Sequence, residues 1–153
     1  TVHTRDAAGA ITRLVELGVE PFLLSSVLRG VLAQRLVRRI CPHCGIDGRL
    51  TPAQVDSLGI KIPVERREQL QVRYGGGCPD CRNTGLYGRI GIFEMLDVGK
   101  RVQGLIRGGR DANEIADAGR IEGMESLREA ALRRLAEGLT PYEEVARLAV
   151  DAE

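Results

Sequence analysis

The stretch Cys41-Pro42-His43-Cys44 recurs farther along the chain as Cys78-Pro79-Asp80-Cys81. We call these stretches the first and second cysteine turns. Two residues between the sulfurs let both thiolates of a tight turn face one metal ion, and two such turns supply the four soft ligands of a tetrahedral Zn²⁺ site. The spacing therefore predicts a structural zinc ion, with the four cysteines as its ligands: Cys41, Cys44, Cys78 and Cys81.

Two other uses of the four cysteines stay open. An even number of cysteines permits disulfides, but a Cys-x-x-Cys disulfide closes a very short loop and removes little entropy from the unfolded chain. An iron–sulfur cluster also takes four thiolates. His43 lies between two ligands. Because four thiolates already complete the site, we expect His43 to be an exposed turn residue.

The segment between the two turns is charged and weakly patterned. Thr51-Pro52-Ala53-Gln54 has the capping-box form, and it predicts a short helix that ends near Gly59. A turn of helix and an extended segment are predicted within residues 61–74. Such a segment buries little apolar surface by itself, and bound zinc contributes on the order of 10 kcal/mol to the folding of small peptides.

Helical spacing of apolar residues is found on the N-terminal side of the first turn. Asp6 is expected to cap a helix that Gly18 ends, and a longer helix is predicted from Pro21 to about Ile40. Three arginines near the end of that segment suit the negative end of a helix dipole. They also offer a contact for acidic membrane lipids or for a partner. They are Arg35, Arg38 and Arg39.

On the C-terminal side of the second turn, residues 84–96 alternate glycine with apolar residues and predict a bend that leads into a buried strand. Asp97 and Asp111 are expected to cap two helices. A further helix is predicted to end at Gly138, and Thr140-Pro141 opens the last one. These patterns predict an α+β fold that is mostly helical.

Composition limits the classes of function. The hydrophobic fraction is 43% and the aromatic fraction only 3%, so the core must be aliphatic. The chain has 22 basic and 21 acidic residues, and this balance argues against a nucleic-acid-binding protein. No apolar run approaches the ~20 residues that cross a bilayer. Paired thiols without a secretory signal favour a reducing compartment, and the cytoplasm is the expected location.

Four segments together resemble the ATPases that power type II secretion, with the type IV pilus assembly ATPases as close relatives. The segments occur in the family's order and are Thr1–Ala7, Leu32–Cys41, Gly77–Glu94 and Gly123–Arg128. Residues Gly18–Leu24 resemble the type II secretion branch more than the pilus branch.

Thr1–Ala7 resembles the family's histidine box, in which His3 matches the histidine that lies near the nucleotide phosphates. Val2 and Arg5 replace the usual Leu and Asn of the box. Without this resemblance, a lone histidine near the end of a strand is usually a packing or surface residue. The resemblance also implies that Arg89 lies at a framework or nucleotide-neighbouring position. A salt bridge beside a strand would explain an arginine here equally well.

The resemblance implies the C-terminal part of a RecA-like ATPase domain with an inserted tetracysteine zinc subdomain and a helical C-terminal end. Residues 1–40 would belong to the motor domain, 41–81 to the zinc subdomain, and 82–153 to a strand and a helical bundle. The Gly-x-x-x-x-Gly-Lys-Ser/Thr loop that holds ATP and Mg²⁺ is absent from the sequence. We therefore expect a fragment that is inactive alone and that belongs to an active ATPase.

The resemblance further implies a homo-oligomer, a hexameric ring, in the cytoplasm and peripheral at the inner membrane. Its expected partners are the inner-membrane platform proteins of the secretion system, and no nucleic acid. Two alternatives stay open. One is the equivalent part of a type IV pilus assembly ATPase, and the other is a free-standing zinc-ribbon-like interaction module.

Overall fold

A computed structural model describes residues 4–60 and 70–150. The chain divides into two compact units. Unit 1 consists of Thr1–Gln34 and Phe93–Leu127, and unit 2 consists of Arg35–Ile92 and Arg128–Glu153. The described residues contain seven α-helices and four strands, which confirms the α+β class. The three-part division at residues 40 and 81 stays a prediction.

Unit 1 has an aliphatic core, as the composition predicts. Its helices are α1 (Ala7–Glu16), α2 (Pro21–Val27), α4 (Lys100–Arg107) and α5 (Ala112–Ile121). α1 contacts α5, α2 contacts α4, and α4 contacts α5. The largest of their fully buried side chains include Ile11, Val102, Ile106 and Ile115.

Unit 2 contains α3 (Pro52–Ser57), α7 (Tyr142–Val150) and all but the first residue of α6 (Leu127–Ala136). It also contains strands β2 (Gly45–Arg49) and β3 (Gln71–Gly75), which pair antiparallel with Gly45 opposite Gly75 and Arg49 opposite Gln71. Strand β2 was not expected from the sequence. The helical turn predicted within residues 61–69 lies outside the described residues.

The two longest strands, β1 (Gly30–Ile40) and β4 (Leu86–Asp97), pair with each other and contribute residues to both units. The Val98 N–H donates to the Arg29 carbonyl (3.0 Å), and the Cys41 N–H donates to the Gly85 carbonyl (2.9 Å). Because the start of β1 is bonded to the end of β4, the strands run in opposite directions. The strand predicted after the second cysteine turn is confirmed.

The prediction of one helix from Pro21 to Ile40 is wrong, because α2 ends at Val27 and β1 follows. In β1, Val31, Ala33 and Val37 are at least half-buried, whereas Leu32 and Leu36 are exposed. Such alternation is typical of a strand. The leucines that suggested a helical stripe lie on the outer face, and the three arginines lie on a strand, where no helix dipole acts on them.

Three of the predicted helix caps are confirmed. Asp6 accepts a hydrogen bond from the Gly9 N–H, and Thr51 and Asp111 form capping boxes with Gln54 and Glu114. The expectation for Asp97 is wrong, because Asp97 ends β4 and the N-cap of α4 is Gly99. Among the described residues, no helix is both long enough and apolar enough to span a bilayer.

Candidate metal centre

The first cysteine turn (Cys41–Cys44) joins β1 to β2, and the second (Cys78–Cys81) comes shortly after β3. Pairing of β2 with β3 brings the two turns together, because the Gly76 N–H donates to the Cys44 carbonyl (2.8 Å) beyond the last pair of the ladder. The Cys41 N–H is bonded to Gly85, which follows the second turn. The local backbone pairing therefore places all four cysteines at one point of unit 2.

The four sulfur atoms form a compact cluster in which every pair lies within 4.8 Å. The Sγ atoms of Cys41 and Cys78 are 3.8 Å apart, those of Cys44 and Cys81 also 3.8 Å, and those of Cys78 and Cys81 3.7 Å. Four bonds of about 2.3 Å to a tetrahedral ion place the sulfurs roughly 3.8 Å from one another. The observed spacing fits one tetrahedral ion.

The two alternatives for the cysteines fit the geometry less well. All four cysteines are free, and the sulfurs are far beyond the disulfide bond length of about 2.05 Å. A cluster of several iron atoms would hold the sulfurs farther apart than a single ion does. The donor set is therefore suited to one thiophilic ion, with no coordination position left for a substrate.

Two backbone N–H groups hold the sulfur of Cys81 in place. The Cys78 and Gly85 N–H groups both donate to Cys81 Sγ at 3.2 Å. Burial acts to raise the pKa of Cys81, but these two donors and the neighbouring thiols lower the pKa to about 6. At Cys44 burial dominates and, with the nearby thiols of Cys81 and Cys78, raises the pKa to about 12. The two N–H groups therefore favour the thiolate form of Cys81, which is the form that binds metal.

The second cysteine turn depends on two glycines whose backbones are in close contact. A Cβ on Gly75 would lie 2.0 Å from the Gly85 carbonyl oxygen, and a Cβ on Gly85 would lie 2.5 Å from that of Gly75. Gly85 also has a φ of +73°, in the left-handed region. Only glycine at both positions lets the strand before the turn approach the chain that follows it.

Residues 1–147 match the protein family described as "Type II/IV secretion system protein".

The chain belongs to this family.

Relatives from both branches of the secretion family are similar to this chain. It is 44% identical over 145 residues to the type IV pilus assembly ATPase PilB of Thermus thermophilus, covering 95% of this chain and 16% of that protein. It is 41% identical over 152 residues to the type II secretion system protein HxcR of Pseudomonas aeruginosa, covering 99% and 28%. It is 41% identical over 150 residues to the type II secretion system ATPase E of Vibrio cholerae, covering 97% and 28%. The chain therefore spans less than a third of the length of these relatives.

Of the other predicted residues of this secretion-family chain, the structure describes His43, Arg89 and the three arginines of β1. His43 is exposed, as expected for a turn residue. Arg89 is exposed on β4, and its nucleotide-neighbouring position stays a prediction. His3 lies outside the described residues. Arg38, on β1, forms an ion pair with Glu144 at 2.9 Å.

Sequence reasoning assigned no role to two buried glutamates, Glu94 and Glu144, which are 4% and 6% exposed. Glu144 accepts hydrogen bonds from the Arg38 backbone N–H (2.8 Å) and from Arg38 Nε (2.9 Å). Glu94 interrupts the apolar inward positions of β4 between Ile92 and Leu96. A carboxylate at an inward strand position was the available signal, since buried charges need partners.

Proposed function

We propose that the chain is part of a cytoplasmic ATPase that powers type II protein secretion at the inner membrane. The match of residues 1–147 to the secretion system family supports this proposal most directly. The chain is also at least 40% identical to proteins named as secretion or pilus assembly ATPases, and this similarity supports ATP hydrolysis as the activity of the intact protein. The intact protein would act as a hexameric ring of RecA-like domains, with ATP and Mg²⁺ bound by segments that this sequence does not contain.

Within this motor, the four cysteines would hold a structural Zn²⁺. Zinc fits a set of four thiolates at tetrahedral spacing. The ion would supply four bonds that join the two cysteine turns. Metal analysis of the purified chain tests this proposal, and one equivalent of zinc per chain is the expected result. Another metal, or none, in protein prepared under reducing conditions would contradict it.

His3 would lie beside the nucleotide phosphates in the intact ATPase, and the chain alone would not hydrolyse ATP. The absence of a Gly-x-x-x-x-Gly-Lys-Ser/Thr loop from the sequence supports the second statement. A malachite-green assay of the purified chain is expected to detect no Mg²⁺-dependent phosphate release. Phosphate release above that of a no-protein control would contradict the proposal that the chain alone does not hydrolyse ATP.

A second candidate function is type IV pilus assembly, which the 44% identity to the Thermus thermophilus pilus ATPase favours. Two chimeras distinguish the branches. In one, this chain replaces the matching segment of the Vibrio cholerae secretion ATPase, and in the other that of the Thermus thermophilus pilus ATPase. We expect the first chimera to restore secretion more fully than the second restores piliation, and the reverse result would favour the pilus branch.

The segment between the cysteine turns would be a docking surface for inner-membrane platform proteins. Its charged character and its position between metal ligands support this proposal. Pull-downs of platform proteins with and without residues 45–77 test it, and unchanged capture after the deletion would contradict it. A free-standing zinc module is less well supported, because the family match extends well beyond both cysteine turns.

A further inference from the structure

One buried carboxylate joins three of the four segments that carry the family resemblance. Glu94 ends the segment Gly77–Glu94, and the residue is only 4% exposed. Its Oε1 accepts a hydrogen bond from the Ala7 N–H (2.7 Å), at the end of the histidine box. Its Oε2 accepts one from the Leu127 N–H (3.1 Å), in the segment Gly123–Arg128. All three residues belong to unit 1.

Both N–H groups are the first of a helix, which explains how a carboxylate is accommodated there. Ala7 begins α1 and Leu127 begins α6. The first N–H groups of a helix have no acceptor within the helix, and the partial positive charge at a helix N-terminus stabilises an anion. Each oxygen of Glu94 therefore satisfies a donor that would otherwise lack a partner.

The Ala7 end of this arrangement is tightly specified. Ala7 is fully buried. Asp6 caps the same helix by accepting from the Gly9 N–H (2.7 Å), and the Thr4 hydroxyl donates to the Asp6 carbonyl (3.1 Å). The backbone where the histidine box enters α1 is therefore held by two carboxylates. Asp6 belongs to the box itself, and Glu94 comes from a distant part of the sequence.

We propose that Glu94 is a positioning residue for the histidine box. It fixes the backbone at Ala7, four residues after His3, and it ties that backbone to Leu127. This inference rests on the proposed function, in which His3 lies beside the nucleotide phosphates. Because a misplaced group near the reacting phosphate slows the chemical step more than it weakens nucleotide binding, Glu94 acts on kcat rather than on KM.

The variant Glu94→Gln tests the proposal in the intact ATPase. Glutamine keeps the shape of the side chain but has only one acceptor oxygen. Its NH₂ group is a donor and cannot accept a hydrogen bond from the second backbone N–H. We expect kcat for ATP to fall on the order of 10-fold to 100-fold while KM stays within about twofold. Glu94→Asp, which keeps the charge but is too short to reach both N–H groups, should give an intermediate kcat.

Glu144→Gln is the matched control. Glu144 is a similarly buried glutamate that also accepts a backbone N–H, and it belongs to unit 2. Its variant should leave kcat per folded protein within about twofold of wild type, because Glu144 accepts its hydrogen bonds from Arg38 in unit 2 and has no part in the proposed positioning of the histidine box. Equal losses of kcat in the two variants would overturn the proposal, as would an unchanged kcat in Glu94→Gln.

Hydrogen exchange on the isolated chain supplies a readout that does not need activity. In Glu94→Gln, the amides of Ala7 and Leu127 should exchange roughly tenfold faster or more, because each depends on a charge-assisted hydrogen bond. The Ile11 amide, within α1, should stay protected and so report that the variant is folded. Unchanged exchange at Ala7 and Leu127 would overturn the positioning role. If the intact wild-type protein hydrolyses no ATP, the proposed function fails, while this exchange result still decides whether Glu94 orders the two helix starts.

Discussion

At the scale of single residues, the cysteines and the histidine between them have different roles despite their proximity. Cys81 is buried and accepts two backbone N–H bonds, whereas His43 is exposed in the first cysteine turn. A ligand set of four thiolates needs every cysteine and does not need the imidazole.

We predict that Cys81→Ser abolishes stoichiometric zinc binding, because the hydroxyl of serine is a poor zinc ligand at neutral pH. His43→Ala is the control and should keep one zinc per chain. Metal content after gel filtration, measured by mass spectrometry, checks both variants. Loss of zinc in His43→Ala would mean that the site is not a simple tetrathiolate.

Glu144 makes stability depend on pH. Burial acts to raise the pKa of Glu144, but hydrogen bonds from the Arg38 N–H and guanidinium, with the charges of Arg38 and Arg147, hold the pKa below its ordinary value of 4.5. A lowered folded-state pKa stabilises the protein above that ordinary value, and the stabilisation is lost as pH falls through the folded-state pKa.

Glu144→Gln should therefore cost more stability at neutral pH than in acid. The difference in unfolding free energy between wild type and variant should shrink as pH falls from about 6 to about 3. Urea titrations over this range measure the difference. Glu16→Gln, which removes an exposed carboxylate, controls for loss of charge. A constant difference would show that the carboxylate is not stabilised in the fold.

At the scale of elements, β1 shows how one sequence fits two periodicities. The spacing of Leu28, Val31, Leu32 and Leu36 suits a helix, while Val31, Ala33 and Val37 suit a strand. In the structure Val37 is 2% exposed and Leu36 is 58% exposed. Pairing with β4 satisfies the backbone groups of the strand and decides between the two.

Alanine substitutions in β1 distinguish strand from helix. Val37→Ala should cost about 1–3 kcal/mol because it leaves a cavity at a buried position. Leu36→Ala should change stability by about 0.5 kcal/mol or less, since its side chain is mostly in solvent. Thermal or urea unfolding of the isolated chain gives both values. A larger cost at Leu36 would favour the helical interpretation.

The chain that follows the second cysteine turn contains two glycines with the same φ. Gly85 and Gly88 both have φ of +73°, but a Cβ on Gly85 would meet the Gly75 backbone, whereas Gly88 has open space around it. Gly88→Ala bears only the backbone strain of about 1–2 kcal/mol.

Gly85→Ala should therefore weaken zinc binding and lower the midpoint of unfolding much more than Gly88→Ala does, because strand β3 must move away from the turn. Competition with a chromogenic zinc chelator measures the affinity of each variant. Similar affinities would mean that left-handed strain, rather than the close approach of the two backbones, limits residue 85.

At the scale of the whole molecule, the candidate metal site belongs to one unit only. All four cysteines lie in unit 2, while the clustered aliphatic core around Ile11, Ile106 and Ile115 lies in unit 1. Because a metal site stabilises the segments that contain its ligands, removal of the ion should act unequally on the two units.

Chelation of zinc under reducing conditions is expected to abolish hydrogen-exchange protection of the Gly76 and Asn83 amides, which are bonded to the carbonyls of Cys44 and Cys78. The Ile115 amide in α5 should keep its protection. Added zinc should restore the lost protection. Equal loss of protection in both units would show that the chain unfolds as one cooperative body when the metal leaves.

The sequence alone determined the features that depend on near neighbours. Two Cys-x-x-Cys turns marked the four cysteines that gather in the fold. The caps at Asp6, Thr51 and Asp111 marked three helix starts, because in each case the interacting groups lie within a few residues. Four ordered segments also sufficed to identify the family.

Tertiary structure decided the features whose partners lie far along the chain. β1 is a strand because β4, some fifty residues away, pairs with it. Glu94 has its role because its two N–H donors are 87 and 33 residues distant in sequence. Local propensity leaves such choices nearly balanced, and hydrogen bonds that form only in the folded chain determine the outcome.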